Sequence, residues 1–363
     1  MRAKSATMRD VAKAANVSQS TVSMILSGKS SSFPTATIEK VLSTAAAMNY
    51  TYRKSAPAPT SSTVLVITVQ LTNPYYAAMQ QGVDRAAKPE SINVLTACSY
   101  HDPQLEAQLL QSAVNHAYLG VIFLYPPDNY EAYLQAKPRI PIVTICDRDS
   151  NVDGDIVELN NFRAGALAAR HLLDLGHSNL AVLTHASDRG NTSRATRVAG
   201  ILSEIRKALP EDHLLLLTGN NSMSGYLSEN SFHYHVGYSL AQNKKLYQGN
   251  ITGLICGNDM LAYGVMDALI EKGFRIPEDF SVIGSDNILF SGMSRVSLTS
   301  IEHYTDVVAH SALTTLLNRV RIPSASMTSA RFQVKCEPTL MIRGSTGPVR
   351  SAENSKTEIR GTD

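Results

Sequence analysis

Cysteine is scarce in this sequence. The 363 residues include four cysteines, Cys98, Cys146, Cys256 and Cys336, and none of them forms a Cys-x-x-Cys pair. This spacing argues against a zinc ribbon, a thioredoxin-type dithiol and a disulfide framework. Three of the four lie in apolar stretches, which favours unreactive thiols buried in a core.

Long apolar runs are also missing. No run approaches the ~20 residues that a membrane-spanning helix needs, and segments such as 64–69 and 121–125 have the length of strands. The basic residues 1–5 are followed by polar sequence, not by the apolar stretch of a signal peptide. We therefore expect no membrane partner and a cytoplasmic location.

The sequence motifs of common catalytic sites are absent as well. There is no Gly-x-Ser-x-Gly elbow, no Gly-x-Gly-x-x-Gly after a strand, no Walker loop and no His-Glu-x-x-His. The His233-Tyr234-His235 pattern has no Asp, Glu or Cys at ligand spacing, and on a loop such a pattern is typical of plain surface sequence. We expect neither an enzyme nor a bound metal or other cofactor.

Charge is sparse but unevenly distributed. Charged residues make up 18% of the chain and hydrophobic residues 44%, which is enough apolar material for a sizeable core. Residues 1–60 hold eight basic and two acidic residues, a net charge of +6, whereas the rest holds 25 basic and 29 acidic residues, a net charge of −4. A basic head on a mildly acidic body is typical of a small nucleic-acid-binding module joined to another domain.

The composition also indicates where the domains end. Residues 55–63 contain two prolines and small polar residues, as linkers do, and separate a helical domain at 1–54 from the body at 64–343. In the body, about eight apolar strands alternate with amphipathic helices, which predicts an α/β fold of two units with parallel sheets. We expect the polar residues 344–363 to be a disordered tail.

The head has the pattern of a helix-turn-helix. Thr7 is a plausible N-cap for a first helix at Met8–Ala15, and Asn16-Val17-Ser18 predicts a tight turn with Ser18 capping a second helix that runs to about Leu26. A third helix is predicted at residues 37–48. Such a motif places its second helix in the major groove of DNA. We expect the core of this all-α head to contain the apolar residues Val11, Ala12, Ala15, Val22, Leu26 and Val41.

Residues 8–23, together with 26–29 and 38–42, resemble the head of the lactose-repressor/galactose-repressor (LacI/GalR) family of bacterial transcription regulators. The resemblance implies that Gln19 and Ser20 read base edges and that Ser18, Thr21 and Ser23 meet phosphates. Helix capping and solvation are the alternative roles of these three hydroxyls. Met24 lies where many members of the family carry a base-contacting arginine, so one guanine contact is expected to be missing.

The linker departs from that family. Its members usually have a short hinge helix here, with a leucine that wedges into the minor groove, but this chain has Pro57 and Pro59. Proline inside a helix costs ~3 kcal/mol. We expect an extended hinge that bends the operator little.

The body resembles the same family over residues 64–345, which implies two doubly wound parallel-sheet lobes of periplasmic-binding-protein type. The implied first lobe comprises about 64–160 and 303–328, and the second about 161–302 and 329–343. A ligand would lie in the cleft at the carboxyl ends of the strands. The segments that carry the resemblance include Asn73-Pro74-Tyr75-Tyr76, Asp147-Arg148, 193–200, 258–264 and 281–287.

By that resemblance, Asp147, Arg197, Asn258 and Asp286 occupy the principal effector-binding positions. Carboxylates and amides bind adjacent sugar hydroxyls, and an aromatic ring can cover the face of a sugar. Tyr75 or Tyr76 is the aromatic candidate, and packing in the core is the alternative role of either residue. Weaker candidates are Ser193, Asn191 and Tyr125.

Together these observations predict a DNA-binding transcription repressor controlled by a sugar or a sugar derivative. A homodimer would present two heads to operator DNA, and a ligand that changes the angle between the lobes would alter the grip of the heads. Residues 75–87 and 104–115 are the predicted helices at the moving interface. A cytoplasmic sugar-binding protein, a solute-binding transport protein or an enzyme on the same body fold is the alternative.

Overall fold

The computed structural model of the protein describes residues 6–26, 33–48, 50, 61–147, 150–185, 193–219, 232–248, 250–321 and 331–349. The chain divides into two compact units, a head at residues 1–58 and a body at residues 59–363. No helix of the described ranges is long and apolar enough to cross a membrane. The predicted linker prolines, Pro57 and Pro59, lie outside the described residues.

The head is a bundle of three helices, α1 (Met8–Ala15), α2 (Gln19–Leu26) and α3 (Thr35–Ala47). Thr7 and Asp10 form a capping box at the start of α1, and Asn16 ends that helix in the left-handed conformation. The Ser18 hydroxyl accepts a hydrogen bond from the Thr21 backbone NH at 3.0 Å. The predicted turn is therefore confirmed. The head core contains Val11, Ala12, Ala15, Val22, Ile25, Val41 and Ala45; Ile25 takes the buried position predicted for Leu26, which is only half-buried.

The body contains two six-stranded sheets. The strands are β1 (Thr63–Thr68), β2 (Asn93–Cys98), β3 (Gly120–Phe123), β4 (Ile142–Cys146), β5 (Asp155–Glu158), β6 (Leu180–His185), β7 (Leu214–Gly219), β8 (Gly253–Cys256), β9 (Ser281–Ser285), β10 (Thr299–Glu302), β11 (Gln333–Lys335) and β12 (Thr339–Met341). The first sheet has the order β11-β5-β4-β3-β1-β2 and the second β12-β10-β9-β8-β6-β7. All pairs are parallel except β10 and β12. The predicted α/β fold is confirmed.

Helices cover both faces of each sheet. They are α4 (Pro74–Ala87), α5 (Pro103–Asn115), α6 (Tyr130–Ala136), α7 (Asn161–Asp174), α8 (Ser193–Ala208), α9 (Phe232–Leu240), α10 (Lys245–Gln248), α11 (Asp259–Glu271) and α12 (Thr305–Arg321). One apolar cluster of the first lobe joins β1 and β4 to α4 and α12, and the other joins β1 and β3 to α5 and α6. The second lobe likewise has two clusters, one on each face of its sheet.

The chain passes between the lobes three times: after β5, after β10 and after β11. The last crossing corrects the predicted boundary, which assigned residues 329–343 to the second lobe. Strand β11 pairs with β5 of the first lobe, with Gln333 opposite Ile156. The crossing therefore lies between Lys335 and Thr339. A strand of three residues carries no periodicity that would reveal its sheet.

Residues 343–349 form a C-terminal strap on the second lobe, and the predicted disordered tail is wrong for its first six residues, 344–349. Ser345 is 1% exposed, its hydroxyl donates to the Val282 carbonyl at 2.5 Å, and it accepts from the Thr299 backbone NH at 2.8 Å. His177 is also buried, and its Nε2 lies 3.0 Å from the Gly347 carbonyl oxygen. These contacts satisfy backbone groups at the amino ends of β9 and β10, so the strap is part of the lobe.

Acidification should loosen this strap. Burial lowers the pKa of His177, although the Gly347 carbonyl opposes that shift. The unfolded chain then binds a proton at His177 before the native protein does, so stability falls as the pH drops below about 6.5. Urea unfolding between pH 7.5 and pH 5 is expected to show a shallower loss for His177→Gln than for the wild type. The same substitution at the exposed His116 is the control, and equal slopes for His177→Gln and the wild type would contradict the prediction.

Candidate effector site and DNA-facing helix

The strand order reverses once in each sheet, between β1 and β3 and between β6 and β8. Ligands of doubly wound sheets bind at the carboxyl ends of the strands beside such a point. The segment after β1 leads to Tyr75, β6 ends at His185, and Asn258 follows β8. The effector candidates therefore lie at the edge of each sheet where a ligand is expected.

Arg197 is the centre of the polar network in the second lobe. It lies in α8 and is buried, and its Nε and Nη2 donate to Oδ1 of Asn161 at 3.0 and 2.6 Å. Its Nη1 donates to the Gly257 carbonyl at 2.5 Å and lies 3.7 Å from Oδ1 of Asp286. Burial of a guanidinium is tolerable here because each of its three nitrogens has an acceptor.

Close packing of α7 on α8 places Asn161 beside Arg197. A Cβ added at Gly165 would lie 1.9 Å from the Arg197 carbonyl oxygen, and one added at Gly200 would lie 2.0 Å from the Phe162 carbonyl oxygen. Two glycines therefore let the helix backbones touch. Because the helices are held at this distance, short side chains near their amino ends can bridge them.

Asp147 reaches the same network from the first lobe. It follows β4 and is 4% exposed. Its Oδ1 accepts from the Asn161 backbone NH at 2.9 Å, and both of its oxygens lie 3.1 Å from Asn161 Nδ2. The structure thus links Asp147 to the Arg197–Asp286 pair through an asparagine that is not among the predicted site residues.

Asp286 has an unusual backbone and an unusual charge state. It follows β9, and its backbone φ of 118° is one that residues other than glycine rarely adopt. Burial raises the pKa of Asp286 to about 8, although the nearby Arg197 opposes that rise. A carboxyl with such a pKa is poised between its neutral and charged forms near neutral pH, which is typical of functional sites.

Tyr75 faces this pair from the first lobe. Burial raises the pKa of the Tyr75 hydroxyl well above its usual value, and the negative charge of Asp286 raises it further. The ring lies edge-on to His303, with 6.3 Å between the ring centroids. His303 follows β10 at the second crossing, where burial and the charge of Arg197 keep its pKa well below its ordinary value. Tyr75 and His303 therefore bring an aromatic surface next to the buried charges.

Asn258 caps α11 and bonds a buried histidine. Its Oδ1 accepts from the Leu261 backbone NH at 2.8 Å, and its Nδ2 lies 2.5 Å from His233 Nδ1. The predicted surface loop at His233 is wrong, because residues 232–240 form α9 and His233 is buried, with its ring centroid 4.5 Å from that of His185. Burial and the charge of Arg194 lower the pKa of His233 to about 3.

The remaining body candidates differ in how they are placed. Tyr76 is half-buried and packs against both apolar clusters of the first lobe, which favours its core role. The Tyr125 hydroxyl lies 2.5 Å from that of Ser99 inside the first lobe. Ser193 is the first residue of α8. Asn191 lies outside the described residues.

Four of the site residues could not be chosen from the pattern. Asn161 is the second member of an Asn-Asn pair, and its partner Arg197 is 36 residues further along the chain. His185 and His303 are single histidines at strand ends, and the pattern at His233 is typical of surface sequence. The position of His185 and His303 at the carboxyl ends of β6 and β10 is the only signal that was available. Among the described residues, no group of three His, Cys, Asp or Glu side chains is arranged to hold a metal ion.

In the head, α2 exposes a face without charge. Gln19, Ser20 and Met24 are exposed, whereas Val22 and Ile25 on the opposite side are buried in the head core. The Ser18 hydroxyl accepts from the Thr21 backbone NH, so the capping role expected as its alternative is present, and it also lies 2.6 Å from the Ser20 hydroxyl and 2.8 Å from the Thr21 hydroxyl. Ser23 and Thr21 are half-buried at the margins of this face.

Comparison with known proteins places both units. Residues 7–52 match the family model described as bacterial regulatory proteins, lacI family, and residues 169–346 match the model described as a periplasmic binding protein-like domain. The HTH-type transcriptional repressor PurR of Mannheimia succiniciproducens is 28% identical over 346 residues, which cover 94% of this chain and 98% of that protein. The ribose operon repressor of Escherichia coli K12 is 26% identical over 345 residues, covering 94% and 99%.

A solved structure supports the same assignment. A LacI family transcriptional regulator from Enterococcus faecium, crystallised with bound ribose, has a TM-score of 0.66 and 25% identity, and the match covers 79% of this chain and 100% of that one. These relatives are transcriptional regulators, not enzymes. With a matching head followed by a matching body, the chain belongs to the lacI family of bacterial regulatory proteins.

Proposed function

We propose that this protein is a sequence-specific transcription repressor whose hold on operator DNA is controlled by a small molecule bound between the lobes of its body. The observation that carries the proposal is that Tyr75 of the first lobe lies edge-on to His303 at the crossing, near enough to the Arg197–Asp286 pair of the second lobe for their charges to shift the pKa of Tyr75. A ligand that touches both sides binds best at one angle between the lobes, and only such a preference shifts a conformational equilibrium.

The exposed face of α2 is the DNA-reading surface. Gln19 and Ser20 reach base edges in the major groove, where an amide pairs with adenine and a hydroxyl with several bases. Ser18, Thr21 and Ser23 bond phosphates, which positions the head without reading sequence. Met24 supplies no hydrogen bond to guanine.

The effector is a sugar or a close derivative. Asp286 and Asn258 bind hydroxyl groups, Arg197 bridges a pair of oxygens, and Tyr75 covers one face of the ring. Ser193 borders this site, whereas Tyr76 packs in the core of the first lobe. Ribose is the first probe because one relative is named as a ribose operon repressor and one solved neighbour holds ribose.

Two copies of the chain act as a homodimer in the cytoplasm. A two-fold axis presents two heads to a pseudo-palindromic operator, and α4 and α5 lie at the interface that moves when the lobes rotate. Coupling of about 1–3 kcal/mol between effector and operator would change operator affinity by roughly 5- to 150-fold.

Substitution of both Gln19 and Ser20 by alanine should change which operator is preferred. Each lost base contact costs about 1–3 kcal/mol, so the loss of both contacts should weaken binding to the selected wild-type sequence by roughly 30-fold or more. The operator is first selected from random duplexes with the full-length protein. Affinities are then measured at several salt concentrations, because phosphate contacts make them salt-dependent.

Ser43→Ala, on the exposed side of α3, is the matched control and should keep the wild-type preference. The variants are also titrated with D-ribose, sugar phosphates and nucleobases, and a ligand of the body should raise the unfolding temperature of all of them equally. Unchanged operator preference in the Gln19 and Ser20 variant would remove α2 as the reading helix. If no duplex is selected at all, the proposed function is wrong.

A further inference from the structure

The Asn161 side chain is a fully buried amide between two charged groups. It is 0% exposed, and its Nδ2 lies 3.1 Å from both Asp147 oxygens. Its Oδ1 accepts two hydrogen bonds from the Arg197 guanidinium, at 3.0 and 2.6 Å. The donor end of the amide thus faces the anion, and the acceptor end faces the cation.

Only an amide of this length satisfies both neighbours. An aspartate at position 161 would face Asp147 with a like charge, and the repulsion would displace the acceptor of Arg197. A leucine would leave Asp147 only the backbone NH of residue 161, and Arg197 only the Gly257 carbonyl, as a hydrogen-bond partner. A buried polar group that loses its partner pays its full desolvation cost. The identity of residue 161 is therefore dictated by its two charged contacts, beyond the requirement of starting a helix.

The amide also spans the boundary between the lobes. Asp147 follows β4 of the first lobe, whereas Arg197 lies in α8 of the second. Asn161 is the first residue of α7, directly after the first crossing, where Asn160 adopts the left-handed conformation with φ of 46°. A rotation of the lobes about this crossing would move Asp147 relative to Arg197, and Asn161 is their shared partner.

We propose that Asn161 is a positioning residue that holds Arg197 in place for the effector and ties that orientation to the first lobe through Asp147. In this arrangement Asp147 acts through Asn161, because its two oxygens already accept hydrogen bonds from that residue. The inference rests on the proposed function, since it takes Arg197 to be an effector contact. The Asn161 amide physically links Arg197, which contacts the effector, to Asp147, which moves with the first lobe.

The first test observes Arg197 directly and needs no effector. The full-length protein is labelled with ¹⁵N-arginine, and the slowly exchanging Nε–H signal that disappears in Arg197→Lys is assigned to Arg197. We expect hydrogen exchange at this signal to become about 100-fold faster in Asn161→Leu and in Asn161→Asp, because the acceptor is lost or displaced. Unchanged exchange in Asn161→Leu would overturn the proposal.

Exchanging the two side chains provides the rescue. In the double variant Asp147→Asn with Asn161→Asp, the new amide donates to the new carboxylate, which still accepts from Arg197. Slow exchange should return to within about threefold of the wild type, a coupling that independent effects on stability would not produce. Asn129→Leu, which removes a similar helix cap at α6, is the matched control and should leave the Arg197 signal unchanged. If the double variant does not restore slow exchange, the proposed link from Asp147 through Asn161 to Arg197 is contradicted.

The second test measures D-ribose affinity of the same variants. If ribose binds the wild type, Asn161→Leu and Asn161→Asp should each bind ribose about 10- to 100-fold more weakly. The affinity of the double variant should recover to within about threefold of the wild-type value. Wild-type affinity in Asn161→Leu would overturn the positioning role even if exchange at Arg197 were altered. If ribose does not bind the wild type, the proposed ligand is wrong, and the exchange experiment still decides whether Asn161 holds Arg197.

Discussion

Asp286→Asn should abolish the response to the effector and at the same time stabilise the free protein at alkaline pH. An amide has the shape of the carboxyl group but cannot accept two hydrogen bonds from sugar hydroxyls, and asparagine tolerates the positive φ at this position. Effector affinity should fall about 10- to 100-fold, while operator affinity without effector stays unchanged. Calorimetric titration and operator binding measure the two effects separately.

The gain in stability follows from the pKa of Asp286. Because this pKa is raised from 3.8 to about 8, the native protein keeps a proton between those values that the unfolded chain has lost. Asp286 therefore costs stability as the pH rises through this window, and the cost is complete above about pH 8. Asp286→Asn removes this cost, which is on the order of 1.4 kcal/mol for each unit of pKa.

The measurement is the free energy of urea unfolding from pH 4 to pH 9. The difference between Asp286→Asn and the wild type should be near zero at pH 4 and should reach a few kcal/mol at pH 9. Asp267→Asn, at an exposed position of α11, is the control and should show no such growth. A variant that is less stable than the wild type at pH 9 would show that the Asp286 charge stabilises the body.

Arg197→Leu should have the opposite effect on stability. It leaves Asn161 Oδ1 and the Gly257 carbonyl without their donor and removes the cation beside Asp286. Removing one partner of a buried charged network typically costs about 3–5 kcal/mol, so this variant should be strongly destabilised as well as unable to bind the effector. The two members of one ion pair are thus expected to change the free energy of unfolding in opposite directions: Asp286→Asn raises it at alkaline pH, and Arg197→Leu lowers it.

Two further variants limit the interpretation of that result. Arg197→Lys keeps a charge, but the lysine cannot bond Asn161 and Gly257 together. Its free energy of unfolding should therefore lie between those of Arg197→Leu and the wild type. Arg206→Leu, near the exposed end of α8, should change the free energy of unfolding by less than about 0.5 kcal/mol. Unfolding of Arg197→Leu within about 1 kcal/mol of the wild type would mean that the network contributes little to stability.

The long, periodic elements of this fold could be predicted from the sequence. Helix α1 has the predicted bounds, and the helices predicted at 75–87 and 104–115 each begin one residue earlier, at a proline. These segments carry strong local signals, namely an apolar stripe with a cap or a continuous buried run. Their order along the chain was sufficient to predict two lobes.

The short elements could not be predicted. Twelve strands are present in the described ranges, against about eight predicted, and β5, β10, β11 and β12 have only three or four residues. Their position is decided by pairing with strands far away in the chain, as with Gln333 and Ile156. The strap could not be predicted for the same reason. Its polar sequence predicts disorder, but its residues bond backbone groups of a sheet that is distant in the chain.

The candidate site was only partly visible in the sequence. Arg197 and Asp286 lie 3.7 Å apart, and their charges reach Tyr75, but Asn161 and His303 could not be predicted. A buried amide gives no local signal, since its role depends on which charged groups the fold brings to its two ends. Sequence patterns indicate which residues lie at strand ends. Which charged groups meet the two ends of a buried amide is decided only by the packing of the two lobes.

The docking of the strap has a practical consequence for experiments with this protein. Val349, the last residue described, donates from its backbone NH to the Leu175 carbonyl beside the end of α7. Gly347 bonds Ser281 at the start of β9, at the edge of the sheet opposite to Asp286. A tether attached at Val349 therefore starts on the side of the lobe remote from Asp286, and a sensor chip that captures the protein there leaves the proposed effector site facing the solution.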